Sequence, residues 1–274
     1  MKPIYFAHLT DTHINAPEKQ HPMFGVDMTA KLRAVMGDIR TLRTKPAFIL
    51  ISGDLTQDGD LADYRHLKAV IEEEAGLTGI PVHVILGNHD FRAPFREGYL
   101  GEAPSDKPYY YSFIENGLRI VMLNSQIPGS HGGELDEQQL EWLDEILAQP
   151  AEQGNLLVIH HPVTLTSSEL MDGHLLRNPQ SLAKVIKGRK VIGLLAGHIH
   201  FHNIGSFHGV PSCAAAGVAF GLDPASADAM RFLDNSGYNL VTVKDGVMAV
   251  QPRMLPGSER LMYELTAAAM AAHQ

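Results

Sequence analysis

Side chains that bind metal ions recur in five short groups along this sequence. The groups, in chain order, are Asp11-Thr12-His13, Gly53-Asp54, Gly87-Asn88-His89-Asp90, His160-His161 and Gly197-His198-Ile199-His200. Carboxylate, amide and imidazole donors without a thiolate suit Mn, Fe, Zn or Co better than Mg or Ca alone. The groups therefore predict a metal site built from aspartate, asparagine and histidine ligands.

The number of candidate ligands indicates more than one ion. Seven donors stand in these groups: Asp11, His13, Asp54, Asn88, His160, His198 and His200. A single tetrahedral ion has too few positions for them, but if Asp54 bridges two ions, each ion receives four protein ligands and keeps positions for water and substrate. Such a pair activates hydroxide and binds both oxygens of an in-line phosphoryl displacement. The expected cofactor is thus two divalent or trivalent metal ions per chain.

Each group by itself has an ordinary structural explanation. Asp11 could cap a helix, and Asn88 could belong to a turn. His198 and His200 lie two residues apart, so one strand face could direct both imidazoles at an ion, but two histidines alone leave the question open. Only the joint occurrence of all five groups, in this order, favours a metal centre over the structural alternatives.

The elements that must position these groups alternate between strands and helices. Apolar runs predict strands that end at the five groups, over 4–9, 47–52, 81–86, 156–160 and 191–196. Amphipathic stretches predict helices over 27–42 and 60–76, the second ended by Gly76. Such β-α-β connections imply parallel strands, whose carboxyl ends form the edge where sites develop. We therefore expect the five groups to meet at one edge.

The remaining patterns predict hairpins and further helices. Turns at Asn116-Gly117, His208-Gly209 and Asp245-Gly246 are typical of hairpins. Helices are expected over 135–147, 179–187 and 258–274, and pocket-forming loops over 91–108, 162–178 and 217–236. The expected architecture is α/β, a single domain over 1–274 with mixed sheets flanked by helices, in which residues from about 202 to 274 complete the second sheet.

Composition narrows the class of partner. The chain has 274 residues and a formal net charge of -9, so it would repel a nucleic acid polymer or an anionic membrane. Its first residues lack the apolar region of an export signal, and it has one cysteine, Cys213. These features predict a cytoplasmic protein that acts on a small molecule.

The five groups resemble the motifs of a known family. D-x-H, G-D, G-N-H-D, H and G-H-x-H, in this order, are the signature of the calcineurin-like metallophosphoesterases, and the resemblance runs from residue 4 to about 215. Three longer stretches resemble bacterial class III 3',5'-cyclic AMP phosphodiesterases: LNSQIPGSHGGELDEQQLEWL, LLVIHHPVTL and HLLRN. Relatives that act on glycerophosphodiesters share the five blocks. The resemblance implies a four-layer α-β-β-α sandwich.

The resemblance also assigns roles to individual residues. It implies a first metal ion held by Asp11, His13, Asp54 and His200, and a second held by Asp54, Asn88, His160 and His198. His89 would contact a phosphate oxygen and protonate the leaving alkoxide, with Asp90 orienting it. Asn88, His89, Arg92 and His161 are the candidate substrate contacts. For Arg92 a plain surface charge is an equal alternative, and His161 would need the turn at Pro162 to reach the pocket.

Other histidines have simpler interpretations. His8 lies within the first predicted strand and is expected to be a hydrogen-bonded core residue. His202 and His208 lie beyond the motif and are expected to be solvated or to support the ligands from behind. After Phe207 the resemblance weakens, because the segment AAAGVAFGLDPASADAM is small and apolar where related enzymes carry polar or histidine residues.

The leading hypothesis is a dinuclear phosphodiesterase that hydrolyses 3',5'-cyclic AMP or a related cyclic nucleotide through a metal-bridging hydroxide. A glycerophosphodiester or phosphomonoester hydrolase is the alternative on the same site. A non-catalytic scaffold of this fold is disfavoured because no ligand type is missing. A homo-oligomer is possible: 109–111 and 213–222 could form an interface or could be core strands.

Overall fold

Fourteen strands and five α-helices make up the described part of the chain in this computed structural model, which covers residues 2–19, 25–266 and 269. The helices are α1 (Met28–Thr41), α2 (Leu61–Thr78), α3 (Arg92–Phe95), α4 (Glu137–Ala148) and α5 (Pro179–Ile186). The strands are β1 (Ile4–Leu9), β2 (Ile49–Ser52), β3 (Val82–Ile85), β4 (Tyr111–Glu115), β5 (Leu118–Met122), β6 (Gly154–Val158), β7 (Val191–Ala196), β8 (Asn203–Phe207), β9 (Val210–Ala214), β10 (Gly221–Leu222), β11 (Ala229–Leu233), β12 (Ser236–Lys244), β13 (Val247–Leu255) and β14 (Leu261–Thr266).

Two large mixed sheets face each other. The first has the order β13-β12-β1-β2-β3, and the second has the order β4-β5-β6-β7-β9-β8. Strands β1, β2 and β3 are parallel, as are β5, β6 and β7. The predicted β-α-β connections are therefore confirmed, and the parallel strands of both sheets end on the site.

Alternation of apolar side chains along each central strand produces the layers. In β1, Ile4 and Phe6 face the second sheet, while Ala7 and Leu9 pack against the side of α1 and α2. In β5, Ile120 belongs to the core between the sheets and Val121 to the core under α4 and α5. Because successive residues of a strand point to opposite faces, each sheet is buried on both sides. The predicted α-β-β-α sandwich is confirmed.

Helix α2 ends two residues later than the sequence predicts. Gly76 lies inside the helix, and Gly79 takes the left-handed conformation at φ 67° and donates its N–H to the Ala75 carbonyl at 2.7 Å. A glycine adopts this conformation without the steric cost of a Cβ. Gly79, rather than Gly76, is thus the residue that stops the helix.

The helix predicted over 258–274 is contradicted over 261–266. Those residues form β14, which pairs antiparallel with β11; residues 267, 268 and 270–274 lie outside the described part. Strands β10 and β11 also lie in 217–236, and α3 with a π-helical turn (Arg96–Leu100) lies in 91–108, where loops were expected. Pairing with a partner strand overrides local helical preference here.

The segment from about 202 to 274 is divided among three sheets. Only β8 and β9 complete the second sheet, whereas β12 and β13 extend the first, and β10, β11 and β14 form a small third sheet. The prediction that this segment as a whole completes the second sheet is therefore wrong in part. None of the helices in the described ranges is long and apolar enough to cross a membrane.

The two segments left open as interface or core differ in burial. Residues 109–111 are half-buried, and Tyr109 and Tyr111 pack against the apolar clusters on either side of the first sheet. Residues 213–222 are buried throughout, so that segment belongs to the core.

Candidate metal centre

The candidate ligands follow five parallel strands of the two sheets. Asp11 and His13 follow β1, Asp54 follows β2 and Asn88 follows β3 of the first sheet; His160 follows β6, and His198 and His200 follow β7 of the second. The carboxyl ends of both sets of strands meet, so side chains separated by up to 189 positions in the chain converge on one site.

The first cluster consists of Asp11, His13, Asp54 and His200. Their ligand atoms all lie within 4.8 Å of one another, and all four residues are buried. His200 Nε2 lies 3.3 Å from His13 Nε2 and 3.4 Å from Asp11 Oδ1. His13 Nε2 lies 3.7 Å from Asp54 Oδ2. Two carboxylates and two imidazoles thus point at one small volume.

The second cluster consists of Asp54, Asn88, His160 and His198. His160 Nε2 lies 3.4 Å from Asp54 Oδ1 and 3.2 Å from Asn88 Oδ1. The His160 and His198 rings are 4.9 Å apart. Asp54 therefore faces the first cluster with Oδ2 and the second with Oδ1, which is the arrangement of a carboxylate that bridges two ions.

His161 is close to this cluster but its ring is already engaged. Its ligand atom lies within 4.8 Å of those of His160 and His198, yet its Nδ1 is 2.7 Å from Ser125 Oγ and its Nε2 is 3.2 Å from the His131 carbonyl. The candidate substrate contact of His161 would require one of these bonds to open.

Three buried polar atoms of the two clusters have no hydrogen-bond partner within the described part of the chain. Among the described residues, neither ring nitrogen of His198 has a hydrogen-bond partner, and Asp11 Oδ1 has none either. A buried polar atom left unpaired destabilises a fold. These atoms belong to the two clusters, so the residues present fit a pair of metal ions.

Three backbone or side-chain oxygens fix how the ligand histidines are oriented. The Nδ1 atoms of His13, His160 and His200 lie 2.8, 2.8 and 3.0 Å from oxygens of Gln57, Ser52 and Phe220, respectively. An Nδ1–H that donates to an oxygen leaves Nε2 unprotonated and free to bind a metal ion. The second contact of each ring therefore selects the tautomer that a ligand needs.

Backbone strain is concentrated on the candidate ligands. Nine non-glycine residues of the described chain have positive φ, and five are candidate ligands: Asp11 (54°), His13 (43°), Asp54 (47°), His198 (73°) and His200 (57°). Residues with a Cβ pay a steric cost in this region. The fold retains this strained backbone because it directs the five side chains into the two clusters.

The buried charges of the site favour a cation. Burial opposes ionisation of both His160 and Asp54, but their mutual attraction outweighs it, raising the pKa of His160 to about 9 and lowering the pKa of Asp54. Burial lowers the pKa of His198, so that imidazole stays neutral. An imidazole must be neutral to bind a metal ion, so His198 is already in that state, whereas an ion at His160 would have to displace its proton.

Two motif glycines permit the close approach of strands. A Cβ at Gly87 would collide with the Asp54 carboxylate and the His160 ring, and a Cβ at Gly197 would collide with Thr10. Glycine at these positions therefore lets the strand ends bring the ligands together.

His89 is oriented by Gln57 rather than by Asp90. The His89 N–H donates to Asp54 Oδ1 at 2.9 Å, and the His89 Nδ1 lies 3.0 Å from the Gln57 carbonyl. Its ring sits 4.8 Å from that of His13. The expectation that Asp90 orients His89 is thus corrected: the contact to the ring comes from the main chain of the Gly53-Asp54 loop.

Asp90 instead organises the turns around the site. Its carboxylate accepts the backbone N–H groups of Leu55, Thr56 and Gly87 at 2.8–3.2 Å and the Tyr64 hydroxyl at 3.0 Å. Burial and the neighbouring Asp54 raise the pKa of Asp90 to about 6. Asp90 therefore joins the turn that carries Asp54 to the turn that carries Asn88.

Arg92 is neither a free surface charge nor directed into a cluster. Its Nε donates to Gln126 Oε1 at 2.9 Å, its Nη2 to the Gln126 carbonyl at 2.8 Å, and its Nη1 to the Asp106 carbonyl at 3.0 Å. These bonds join the loop after β5 to α3. The joined region borders a cavity that Asn88 also lines.

The sequence did not single out four residues of the site. Gln57 and Phe220 hold ligand histidines, and the Phe220 ring stacks on His200 at 4.1 Å. His131 Nδ1 lies 3.4 Å from Asn88 Nδ2, and the His174 ring lies 5.8 Å from that of His198. Gln57, His131 and His174 lie in or beside the quoted motifs, whereas Phe220 had no signal in the sequence.

His8 and His208 lie outside the clusters. His8 Nε2 contacts Ser52 Oγ at 2.9 Å, and its Nδ1 contacts Asn239 at 3.3 Å, which confirms the core interpretation. His208 occupies the turn between β8 and β9 with φ 48°.

Comparisons with known proteins agree with this geometry. The family model described as calcineurin-like phosphoesterase matches residues 4–202. A probable cyclic nucleotide phosphodiesterase of Rhodococcus erythropolis is 35% identical over 88% of this chain and 80% of its own. The cAMP/cGMP dual specificity phosphodiesterase of Mycobacterium tuberculosis is 34% identical, with 86% and 74% covered. The 3',5'-cyclic adenosine monophosphate phosphodiesterase CpdA of Escherichia coli is 36% identical, with 70% and 68% covered.

Solved structures show the same fold. A dimetal phosphatase from Danio rerio superposes with a TM-score of 0.60 over 90% of this chain and 98% of its own, at 18% identity. Because the family model matches residues 4–202, which is more than half of the chain and includes all five ligand groups, the chain belongs to the calcineurin-like phosphoesterase family.

Proposed function

We propose that this protein is a metal-dependent phosphodiesterase that hydrolyses 3',5'-cyclic AMP or a related cyclic nucleotide. The observation that carries the proposal is the pair of buried clusters that share Asp54, because two adjacent ions suit in-line phosphoryl displacement. The substrate class is supported by relatives named as cyclic nucleotide phosphodiesterases at 34–36% identity.

The proposed ligands divide between two ions of Mn, Fe, Zn or Co. Asp11, His13, Asp54 and His200 would hold the first ion, and Asp54, Asn88, His160 and His198 the second. His161 is not assigned as a ligand, since both its nitrogens already have partners. When bound, the ions would supply an activated water nucleophile and positive charge opposite the phosphoryl oxygens.

His89 is the proposed acid for the leaving group. The Gln57 carbonyl holds its Nδ1, and Asp54 holds its main chain, so its Nε2 is left to face a phosphate oxygen. A proton on Nε2 would pass to the alkoxide as the P–O bond breaks. General acid catalysis of this kind typically contributes about 10² to 10⁴ in rate.

Side-by-side turnover tests the proposal. Metal-stripped protein reloaded with Mn, Fe, Zn or Co is offered cyclic AMP, glycerophosphoethanolamine and p-nitrophenyl phosphate, and kcat/KM is compared. We expect cyclic AMP to be preferred. Turnover of only glycerophosphoethanolamine or p-nitrophenyl phosphate would replace the substrate with the alternative, and inactivity on all three and on bis(p-nitrophenyl) phosphate would overturn the proposal.

A cytoplasmic location and a homo-oligomer remain predictions. The first rests on the single cysteine, which suits a reducing compartment. Size-exclusion chromatography with light scattering tests the second. The proposed partner is the small substrate itself.

A further inference from the structure

A cavity of about 390 Å³ opens beside the second cluster. Its walls include Asn88, Phe91, Arg92, Gln126 and Pro128. Asn88 lines the cavity and also belongs to the second cluster, since its Oδ1 lies 3.2 Å from His160 Nε2. A substrate whose phosphate lies at the clusters can therefore extend past Asn88 into this cavity, whose volume falls in the usual range for small-molecule sites.

Phe91 presents its ring to the cavity on a rigid support. The residue is 53% exposed, although a phenylalanine side chain is among the types most often buried. Its N–H donates to the Tyr64 hydroxyl at 2.8 Å. The edge of its ring rests on Gly59, where a Cβ would overlap it. The ring is thus held in place with much of its surface uncovered.

Two polar side chains of the same wall bind each other. The Gln126 side chain accepts from Arg92 Nε and donates to the Asp90 carbonyl. Arg92 uses Nε, Nη1 and Nη2 on Gln126 and on the Asp106 carbonyl. The wall therefore combines an aromatic ring with a guanidinium that three hydrogen bonds hold in place.

We propose that this cavity seats the purine base of the nucleotide substrate, stacked on Phe91. The inference rests on the proposed function. An exposed aromatic ring can stack on any base because each base has a π face.

Binding of AMP and ribose 5-phosphate separates the base from the phosphate. Calorimetry on the metal-loaded protein measures both dissociation constants. We expect AMP to bind roughly tenfold or more tightly than ribose 5-phosphate. In Phe91→Ala this ratio falls close to one while ribose 5-phosphate binds as before, and Phe91→Trp keeps the ratio. Tyr5→Ala, which removes a 39% exposed aromatic ring on β1, is the matched control and leaves the ratio unchanged.

Steady-state kinetics test the same contact during turnover. Phe91→Ala should raise the KM for cyclic AMP roughly tenfold or more with little change in kcat. A ratio of AMP to ribose 5-phosphate affinity that survives Phe91→Ala overturns the stacking site. Because the calorimetry needs no turnover, a protein that fails to cleave cyclic AMP refutes the proposed function separately.

Discussion

The two clusters share Asp54 but differ in how their ligands are held. In the first, His13 and His200 each have a partner behind Nδ1, and Phe220 closes the site by stacking on His200. In the second, His198 has no hydrogen-bond partner on either ring nitrogen among the described residues. Asn88 is only half-buried there and borders a cavity.

This difference indicates that the two clusters would hold their ions with different affinities. A preorganised, closed ligand set holds its ion tightly, because little ordering remains when the ion binds. An open set adjoining a cavity exchanges its ion more readily and receives the substrate. We expect the first ion to be retained longer than the second, and the variants below test that expectation.

Removing the shared carboxylate should have the largest effect. Asp54→Ala takes a ligand from both clusters and leaves His160 without its closest carboxylate. We expect kcat/KM for cyclic AMP to fall on the order of 10³-fold, because two-ion stabilisation is worth several kcal/mol. Metal content, measured by elemental analysis, should fall below one ion per chain. Asp58→Ala, which removes a partly exposed carboxylate four residues further along the chain, is the control; equal losses in both variants would contradict a specific role for Asp54.

Asn88→Ala should affect the second cluster alone. The variant should keep about one ion per chain and lose turnover on the order of 10²-fold, since one of the two ions is weakened. Elemental analysis after dialysis, paired with cyclic AMP hydrolysis, measures both. Loss of both ions together would mean that the clusters do not fill independently.

Gln57→Leu should lower the metal affinity of the first cluster by removing the contact that orients His13. The substitution removes the oxygen that lies 2.8 Å from His13 Nδ1, and loss of such a support typically costs about 10- to 100-fold in metal affinity. Competition with a chelator measures the affinity. Gln57→Glu keeps an acceptor and should retain the tight ion. If both variants behave alike, orientation of His13 does not explain the tighter site.

An ion pair far from both clusters should have the smallest effect. The Arg253 guanidinium binds both oxygens of Asp38, which also accepts the Tyr238 hydroxyl, and these bonds lower the pKa of Asp38. Because the folded-state pKa lies below the ordinary value of about 3.9, the stabilisation is present above about pH 4 and fades as pH falls. Asp38→Asn should lower the free energy of unfolding by about 1 kcal/mol at neutral pH.

Urea unfolding at several pH values checks this last effect. The difference between Asp38→Asn and the parent protein should shrink as pH falls toward about 3. Metal content should not change in the variant. A change in metal content would show that the ion pair between Asp38 and Arg253 is coupled to the metal clusters.

Much of the site could be predicted from the local pattern of the sequence. Each ligand group follows an apolar run, and apolar runs of this length end where a buried strand reaches the sheet edge, so the convergence of all seven side chains was predictable. The orienting contact of His89 was not, because it comes from a main-chain carbonyl at Gln57. Main-chain acceptors carry no residue signature. Arg92 was ambiguous for a related reason, since two of its three acceptors are carbonyls.

The sequence by itself determined the chemistry of the ligands, the two parallel strand series and the edge at which they meet, because these depend on residue type and short-range periodicity. Only the tertiary structure decided that 261–266 is a strand and that Phe220 closes the first cluster. It also decided that the Phe91 ring stands uncovered beside Asn88. These features depend on pairing and packing between segments far apart in the chain, where a free-energy gain from burial overrides local preference.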